Sequence, residues 1–388
     1  MTAVSFDIEG VLDDARNETG LDDFGPPQFS EGLSLLLATY ATNGYDDEAK
    51  GGLRARVVHL LAERLRIEDA WARHPEIRDI PIVAPMYLTG LPRTGTSALL
   101  NLLSQDPAAR PLRLWEAMNP SPLPDNPPKE EDPRYLQVKA FAEAVQATNP
   151  DFGKIHHTGA DVPEECIHLL NHTFCDVQFG VEVLMEPYAS WFRAQDLHAS
   201  YRYYADLLRM LQWRSPGERF LLKSPAHLWA LDVLAEMFPD CAVVVTHRDP
   251  AECVASYASM MDALMIGRDF RRESLGPAVL DYLAAKMDRF LDHRERIGEE
   301  RIFDLTFDEV GADAPGCVRR IYGHFGIALS PEVDDACSRW AGEHVRGEHG
   351  THEYSLAEYG LTEDQVRERF GSYLDRFDVA PQRRGHGS

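Results

Sequence analysis

The fold is predicted by one stretch of the sequence, Gly90-Leu91-Pro92-Arg93-Thr94-Gly95-Thr96-Ser97. An apolar run at 82–88 precedes this loop, and residues 98–103, whose leucines have helical spacing, follow it. The order is therefore strand, glycine-bounded loop and helix. In such a turn the backbone N–H groups and the helix N-terminus point at one spot and favour an anion there. We therefore predict that this loop binds a phosphate group.

The loop differs at one position from the phosphate-binding consensus G-x-x-x-x-G-K-[ST]. Thr96 stands where a nucleotide kinase or ATPase has lysine, whereas Arg93 supplies a positive charge from inside the loop. This difference indicates a phosphate-containing donor other than ATP. The alternative interpretation is a tight turn that merely contains two glycines.

Net charge restricts the partners of this protein. The 388 residues are enough for a sizeable core, and their formal net charge is −24. Nucleic acids and anionic membranes require a basic face, so we expect neither as a partner. An anionic ligand must then be held by a local cluster of Arg, Lys and N–H groups.

The cysteines and the apolar runs indicate in which cellular compartment the protein is located. No C-x-x-C pair occurs among the six cysteines, which we expect to be buried free thiols rather than zinc ligands or disulfides. The N-terminus is acidic, unlike that of a signal peptide. No apolar run approaches the roughly 20 residues of a membrane span, so no integral membrane segment is expected. We therefore expect a cytoplasmic enzyme.

Apolar runs that alternate with helical patterns predict the fold class. Four short apolar runs predict buried strands, at 82–88, 220–222, 242–245 and 301–305. Their alternation with helices predicts an α/β fold, with a P-loop-type parallel sheet flanked by helices on both faces. Residues 1–80 are expected to form an appended N-terminal helical segment, and 81–388 the P-loop-like α/β domain.

Within the N-terminal segment, residues 53–71 show the apolar spacing of an amphipathic helix. Arg and Glu alternate on its other face.

Three strand ends carry the chemistry of anion binding. The loop 90–97, Lys223 and Arg248 each follow a predicted strand. Ligands of parallel sheets bind beyond the carboxyl ends of the strands. We therefore expect these three sites to converge on one ligand.

These motifs together resemble those of the sulfotransferases that use 3′-phosphoadenosine 5′-phosphosulfate, especially the bacterial branch near the tyrosylprotein enzymes. The resemblance covers roughly residues 84–330. Pro92-Arg93-Thr94-Gly95-Thr96-Ser97 resembles the 5′-phosphosulfate loop. Arg248 and Ser256 resemble the pair that holds the 3′-phosphate, and the stretch from 221 to 227 resembles the bacterial K-S-P-x-H segment. Residues 305–308 are similar to a structural element of the family.

The resemblance implies transfer of a sulfuryl group to a hydroxyl of a small molecule, lipid or glycan. During such a transfer, negative charge builds on the equatorial oxygens of the sulfuryl group and on the leaving phosphate. The protein therefore mainly positions the reactants and neutralises this charge. Arg93, the N–H groups of the loop and Lys223 are expected to do this. The product would be adenosine 3′,5′-bisphosphate, and no metal is required.

The base that accepts the proton of the hydroxyl is left open by the sequence. Glu116 is similar in placement to the catalytic glutamate of the tyrosylprotein branch and is the first candidate. His227, close in sequence to Lys223, is the second, and Glu164 and Glu165 come third. A general base must reach that hydroxyl.

Other patterns remain without an assignment. His168 and His172 have the i, i+4 spacing of a helical metal pair, but without a third ligand we favour a helix that faces a polar pocket. His156 and His157 belong to the same polar segment. The stretch 352–361 resembles a carboxyl-terminal segment of the bacterial branch; closure over the cofactor and a docked tail are the two interpretations. An R-K-G segment is not evident, so the remaining 3′-phosphate ligands are unassigned.

Two other functions compete with this interpretation. A P-loop kinase that uses ATP would need a lysine before Ser97, which is absent, and a magnesium-binding aspartate at a strand end, for which Asp249 is the candidate. The other competing interpretation is a protein that binds a nucleotide without catalysis. The sequence leaves the oligomeric state open, a homo-oligomer included.

Overall fold

The computed structural model describes residues 4–125, 127–148, 159–176, 184–344, 354–379 and 381. The chain divides into two compact units. The first, which we call the helical unit, comprises Met1–Val83, Leu112–Glu218 and Ala263–Phe270. The second, the sheet unit, comprises Ala84–Pro111, Arg219–Asp262 and Arg271–Ser388.

This division differs from the one predicted from the sequence. The break near residue 80 is present, but two later segments, Leu112–Glu218 and Ala263–Phe270, join the N-terminal helices. The division into an N-terminal helical segment 1–80 and an α/β domain 81–388 stays a prediction. In the structure the helical unit is assembled from three separate stretches of the chain.

The sheet unit contains five parallel strands in the order β2-β3-β1-β4-β5. The strands are β1 Met86–Gly90, β2 Ala109–Pro111, β3 Arg219–Lys223, β4 Ala242–His247 and β5 Ile302–Thr306. The predicted α/β class with a parallel sheet and flanking helices is confirmed. The short strand β2 was not predicted, because three residues give no readable apolar pattern.

The register of the strands aligns their carboxyl ends. Leu88 of β1 pairs with Lys223 of β3, and Gly90 pairs with Thr246 of β4. His247 in turn pairs with Thr306 of β5. The loop after β1, Lys223 and Arg248 therefore start from the same edge of the sheet, as predicted.

The helix that follows the glycine-bounded loop anchors that loop to the core. It spans Thr96–Leu103, and Leu99, Leu100, Leu102 and Leu103 are all buried. They share one core cluster with residues of β1 and β3–β5. Among the described residues, the other α-helices that lie wholly or mainly in the sheet unit are Leu231–Met237, Pro250–Leu264, Arg272–Ile297, Phe307–Ala312, Ala314–His324, Pro331–Glu343, Glu363–Arg369 and Gly371–Arg376.

The helical unit is built on one long helix, Asp47–Arg73. Asp46 caps it by accepting a hydrogen bond from the N–H of Ala49. Among the described residues, the other α-helices of this unit are Ile8–Thr19, Phe29–Thr42, Leu114–Met118, Pro133–Thr148, Ile167–Leu170, Tyr188–Arg193 and His198–Arg214. The predicted amphipathic helix over 53–71 is therefore present.

The charged face of the long helix is more buried than its pattern suggests. Glu63, Arg64 and Glu68 are at most 8% exposed. The Arg64 guanidinium donates to the carbonyl oxygens of Phe24 and His172 at 2.7 and 2.8 Å. These bonds compensate for the desolvation of a charge, which sequence periodicity cannot reveal.

All six cysteines are buried free thiols. Within the described residues, no helix combines the length and the apolar character needed to cross a membrane.

Candidate functional site

Two glycines allow the loop after β1 to turn sharply. Gly90 has φ of +147°, and a Cβ there would lie 2.4 Å from the carbonyl oxygen of Thr246. Gly95 has φ of +88°, and a Cβ there would lie 3.1 Å from Cδ2 of Phe307. L-amino acids with a side chain rarely adopt such angles. The two glycines of the motif are thus required by backbone geometry.

Arg93 has a strained backbone in the middle of this loop. Its φ is +72°, which a long side chain seldom adopts. Such strain persists only where the surroundings impose it, and it concentrates at functional sites. The conformation therefore supports Arg93 as a ligand-binding residue.

The loop is tied to strand β4 by threonine hydroxyls. Thr94, which is fully buried, donates from Oγ1 to the carbonyl oxygen of Leu91 at 2.7 Å. The Oγ1 atoms of Thr94 and Thr246 lie 2.6 Å apart. The Thr94 side chain thus stabilises the loop itself. Pro92 has no N–H to offer an anion and contributes a fixed φ.

Three predicted site residues from three elements meet beside this loop. Nε of Arg93 donates to Oγ of Ser256, on the helix Pro250–Leu264, at 3.2 Å. Nη1 of Arg248 donates to the carbonyl oxygen of Arg93 at 2.9 Å. The structure therefore brings the predicted 5′-phosphosulfate loop and the predicted 3′-phosphate pair together.

The two arginines are placed as like charges in a partly desolvated environment. Burial lowers the pKa of the Arg93 guanidinium; Tyr354 raises this pKa, and the nearby charge of Arg248 lowers it. Bringing two cations together in such a place is unfavourable unless an anion shares them. This arrangement fits the phosphates of the nucleotide that the family motifs imply.

Lys223 reaches the same loop from the end of β3. Its side chain is 1% exposed, and Nζ donates to Oγ of Ser97 at 3.1 Å. Ser97 lies in the first turn of the helix Thr96–Leu103, where the macrodipole favours negative charge. The Lys223 ammonium therefore lies beside the N-terminus of this helix.

His227 lies near Lys223 in sequence but is closed off. It is fully buried, and its ring packs edge-to-face on the ring of Tyr87 at 5.0 Å between centroids. Burial lowers the pKa of His227 to about 3. A base of this strength, shielded from solvent, is poorly suited to accept the proton of an acceptor hydroxyl. The assignment of His227 as catalytic stays a prediction.

Glu116, Glu164 and Glu165 belong to the helical unit, whereas the residues described above belong to the sheet unit. Glu116 is 7% exposed on the short helix Leu114–Met118. Oε1 of Glu164 accepts from the N–H of Glu165 at 2.8 Å.

Trp115, the neighbour of Glu116, forms cation–π contacts with two arginines. The Cζ atoms of Arg134 and Arg214 lie 5.7 and 4.5 Å from the centroid of a Trp115 ring. Both guanidiniums form ion pairs with the fully buried carboxylate of Asp132. These contacts stabilise the position of the short helix that carries Glu116.

The histidine pair on the predicted polar helix does not form a metal site in the part of the chain that is described. There, no group of three or more His, Cys, Asp or Glu side chains could hold a metal ion. His172 is fully buried, and this burial lowers its pKa to about 3. His156, His157 and residues 352–353 of the carboxyl-terminal stretch lie outside the described residues.

Some residues beside the site were not predicted from the sequence as site residues. The ring of Phe307 lies 4.1 Å from the Arg248 guanidinium, and Oε2 of Glu252 lies 3.5 Å from Nη2 of Arg248. Phe307 directly follows β5, so its place at the carboxyl edge of the sheet could have been recognised. The predicted structural element at 305–308 therefore also borders the site.

Comparison with known proteins agrees with this geometry. The family model described as "Sulfotransferase family" matches residues 85–331. The sulfotransferase STF1 from Mycobacterium tuberculosis H37Rv is 33% identical, with a TM-score of 0.84, over 96% of this chain and 100% of that chain. STF9 from Mycobacterium avium is 28% identical, with a TM-score of 0.89, over 98% and 99% of the two chains.

A curated relative also matches. It is the omega-hydroxy-beta-dihydromenaquinone-9 sulfotransferase Stf3 of Mycobacterium bovis, 28% identical over 262 residues. The alignment spans 63% of this chain and 63% of the length of that relative. The family model, in contrast, covers well over half of the present sequence, from the strand before the loop to beyond the last strand. The resemblance drawn from the motifs is thereby confirmed, and the chain belongs to the sulfotransferase family.

Proposed function

We propose that this protein transfers a sulfuryl group from 3′-phosphoadenosine 5′-phosphosulfate to a hydroxyl group. The observation that carries the proposal is the meeting of Arg93, Lys223 and Arg248 at one edge of the parallel sheet. Three cations and a helix N-terminus at one edge suit a ligand with phosphates at two positions. Family membership supports the same reaction.

Each residue of the site has a role that follows from its place. Arg93, Lys223 and Ser97 would hold the 5′-phosphosulfate, and Arg248 with Ser256 would hold the 3′-phosphate. The donor supplies an activated sulfuryl group through its phosphosulfate anhydride. Lys223 and the loop neutralise the negative charge that grows on the leaving phosphate, which lowers the barrier only if they are already in place.

The acceptor is proposed at the level of its chemical class. One relative is named for an omega-hydroxy menaquinone, which is a lipid alcohol. We propose a hydroxyl of a lipid or another small molecule, with a glycan as the remaining class. A cytoplasmic location is proposed as well, supported by six buried free thiols.

A kinase reaction is disfavoured by the surroundings of Asp249. This residue is 3% exposed, and its carboxylate accepts from the N–H of Ala251 and from Arg367 at 3.0 and 3.1 Å. These contacts occupy the oxygens that a magnesium ion would need.

The first prediction concerns the nucleotide. Adenosine 3′,5′-bisphosphate at 100 times its Kd should stabilise the protein by about 2.7 kcal/mol and raise Tm by a few degrees. ATP with Mg²⁺ at the same concentration should raise it less, because it carries no 3′-phosphate for Arg248. Thermal-shift measurements with wild type and Arg248→Ala test this, and the variant should lose the preference.

The outcomes of that experiment separate the three functions. A shift with ATP and Mg²⁺ alone would favour the kinase. A strong shift with the bisphosphate, but no release of bisphosphate from the phosphosulfate donor with any of a panel of lipid, phenol and sugar hydroxyls, would favour a binding protein without catalysis.

The second prediction concerns the base. Glu116→Gln should lower the single-turnover rate of sulfate transfer by at least about tenfold, because a carboxamide cannot accept the proton. His227→Gln should leave that rate nearly unchanged, since its pKa of about 3 makes a poor base. Single-turnover assays with saturating donor report the chemical step. A Glu116→Gln enzyme with a near-normal rate would remove this carboxylate as the base, and a large loss in His227→Gln alone would reinstate the histidine.

A further inference from the structure

Two short carboxyl-terminal helices contact the residues that follow strand β4. They span Glu363–Arg369 and Gly371–Arg376 and belong to the sheet unit. They lie beyond residue 331, where the match to the family model ends. Side chains from this helix pair, or from Phe377 just after it, contact three consecutive residues, the last one of β4 and the two that follow it.

Tyr373 holds the backbone at the predicted 3′-phosphate arginine. Its hydroxyl donates to the carbonyl oxygen of Arg248 at 3.3 Å and lies 3.3 Å from Nδ1 of His247. Tyr373 is 2% exposed, so this bond is shielded from competing water. The ring of Phe377 stacks on the ring of His247 at 3.9 Å between centroids. The carboxyl end of β4 is thus fixed from outside the sheet.

Arg367 holds the next residue along the chain. Its Nη2 donates to Oδ2 of Asp249 at 3.1 Å, and Oδ1 of Asp249 accepts from the N–H of Ala251. Asp249 thereby orders the start of the helix Pro250–Leu264. That helix carries Ser256, so Arg367 acts on the second predicted 3′-phosphate ligand through one carboxylate.

We propose that this helix pair is a positioning element for the 3′-phosphate site. Tyr373 sets the backbone from which the Arg248 side chain extends, and Arg367 sets the turn that leads to Ser256. A site whose ligands are ordered before binding loses less entropy when the ligand arrives. The inference rests on the proposed function and adds that selectivity for a 3′-phosphorylated nucleotide depends on residues that need not touch it.

The chain offers a matched control on the same helix. Arg369 forms an ion pair with Asp288 at 2.7 Å and is 39% exposed on its side chain. Like Arg367 it pairs with a carboxylate, but that carboxylate is on the helix Arg272–Ile297 and not on the turn that follows β4. Replacing either arginine by glutamine removes the same charge from the same helix. Only Arg367→Gln should affect the 3′-phosphate site.

The test compares two nucleotides that differ by one phosphate. Titration calorimetry with adenosine 3′,5′-bisphosphate and adenosine 5′-phosphate gives Kd for wild type, Tyr373→Phe, Arg367→Gln and Arg369→Gln. We expect the first two variants to bind the bisphosphate about 5- to 20-fold more weakly and the monophosphate within twofold of wild type. Arg369→Gln should match wild type with both, and Arg367→Lys should recover part of the lost affinity.

The results distinguish failure of the inference from failure of the proposed function. Wild type that does not prefer the bisphosphate would overturn the function and the inference together. If wild type prefers the bisphosphate and the variants keep the same preference, the inference alone is overturned. An equal loss for both nucleotides would show that the helix pair supports the fold and not this subsite, which also overturns it.

Discussion

Replacement of Lys223 by methionine is expected to lower the single-turnover rate of sulfuryl transfer by about 10²- to 10³-fold, the usual cost of removing one donor aimed at developing charge. Nζ of Lys223 lies 3.1 Å from Oγ of Ser97, beside the helix N-terminus. In the proposed function it faces the leaving phosphate, on which negative charge grows, so we expect its contribution to be greater in the transition state than in the ground state. The donor Kd should therefore change much less than the rate.

Methionine suits this test because it keeps most of the apolar stem of a side chain that is 1% exposed. Tm, measured beside the rate, checks that the variant is folded. Lys129→Met is the control, since Lys129 is a surface residue that pairs with Asp161 at 3.0 Å. If Lys223→Met lost rate and donor affinity equally, this lysine would stabilise the bound donor and the transition state to the same extent instead.

The part of the fold that the sequence predicts is the part governed by local pattern. A strand, a loop with Gly90 and Gly95, and a helix with buried leucines are encoded within about 20 consecutive residues. The convergence of Lys223 and Arg248 on this loop could also be predicted, because parallel strands end at one edge. The family resemblance added the roles of these residues, which spacing alone does not provide.

What could not be predicted depends on contacts between distant residues. The grouping of Leu112–Glu218 with the N-terminal helices leaves no local signal. The same holds for Arg64, a charged residue on an amphipathic pattern that is 3% exposed among carbonyl oxygens and aromatic rings. Tyr373 and Arg367 also escaped notice, because their partners lie more than 100 residues earlier in the chain.

Local cations must overcome an unfavourable overall charge. The net charge of −24 repels an anionic nucleotide at long range. Beyond about 8–10 Å this repulsion is screened by salt, whereas one cation 4 Å from a phosphate contributes about 4 kcal/mol at an effective dielectric constant of 20. In the proposed function, Arg93 and Arg248 together would therefore outweigh the overall charge at contact distance.

Gly90→Ala is expected to destabilise the protein by about 3 kcal/mol or more, the upper range for overpacking combined with backbone strain. A Cβ at this position would lie 2.4 Å from the carbonyl oxygen of Thr246 and 2.7 Å from its Oγ1. The first of these is a backbone atom of the adjacent strand, so it cannot move without breaking the register of β1 and β4. The φ of +147° adds strain that alanine cannot relieve.

The matched control for this substitution is Gly323→Ala, on the helix Ala314–His324. No atom lies within 4 Å of a Cβ built there. Alanine at a helical position should stabilise by about 0.5–1 kcal/mol relative to glycine. Urea unfolding of both variants, followed by circular dichroism, measures the two changes with opposite sign. If Gly90→Ala unfolds at the wild-type midpoint and still binds adenosine 3′,5′-bisphosphate, the close approach of loop and β4 does not hold in solution. The shared edge of the sheet would then lose its structural basis.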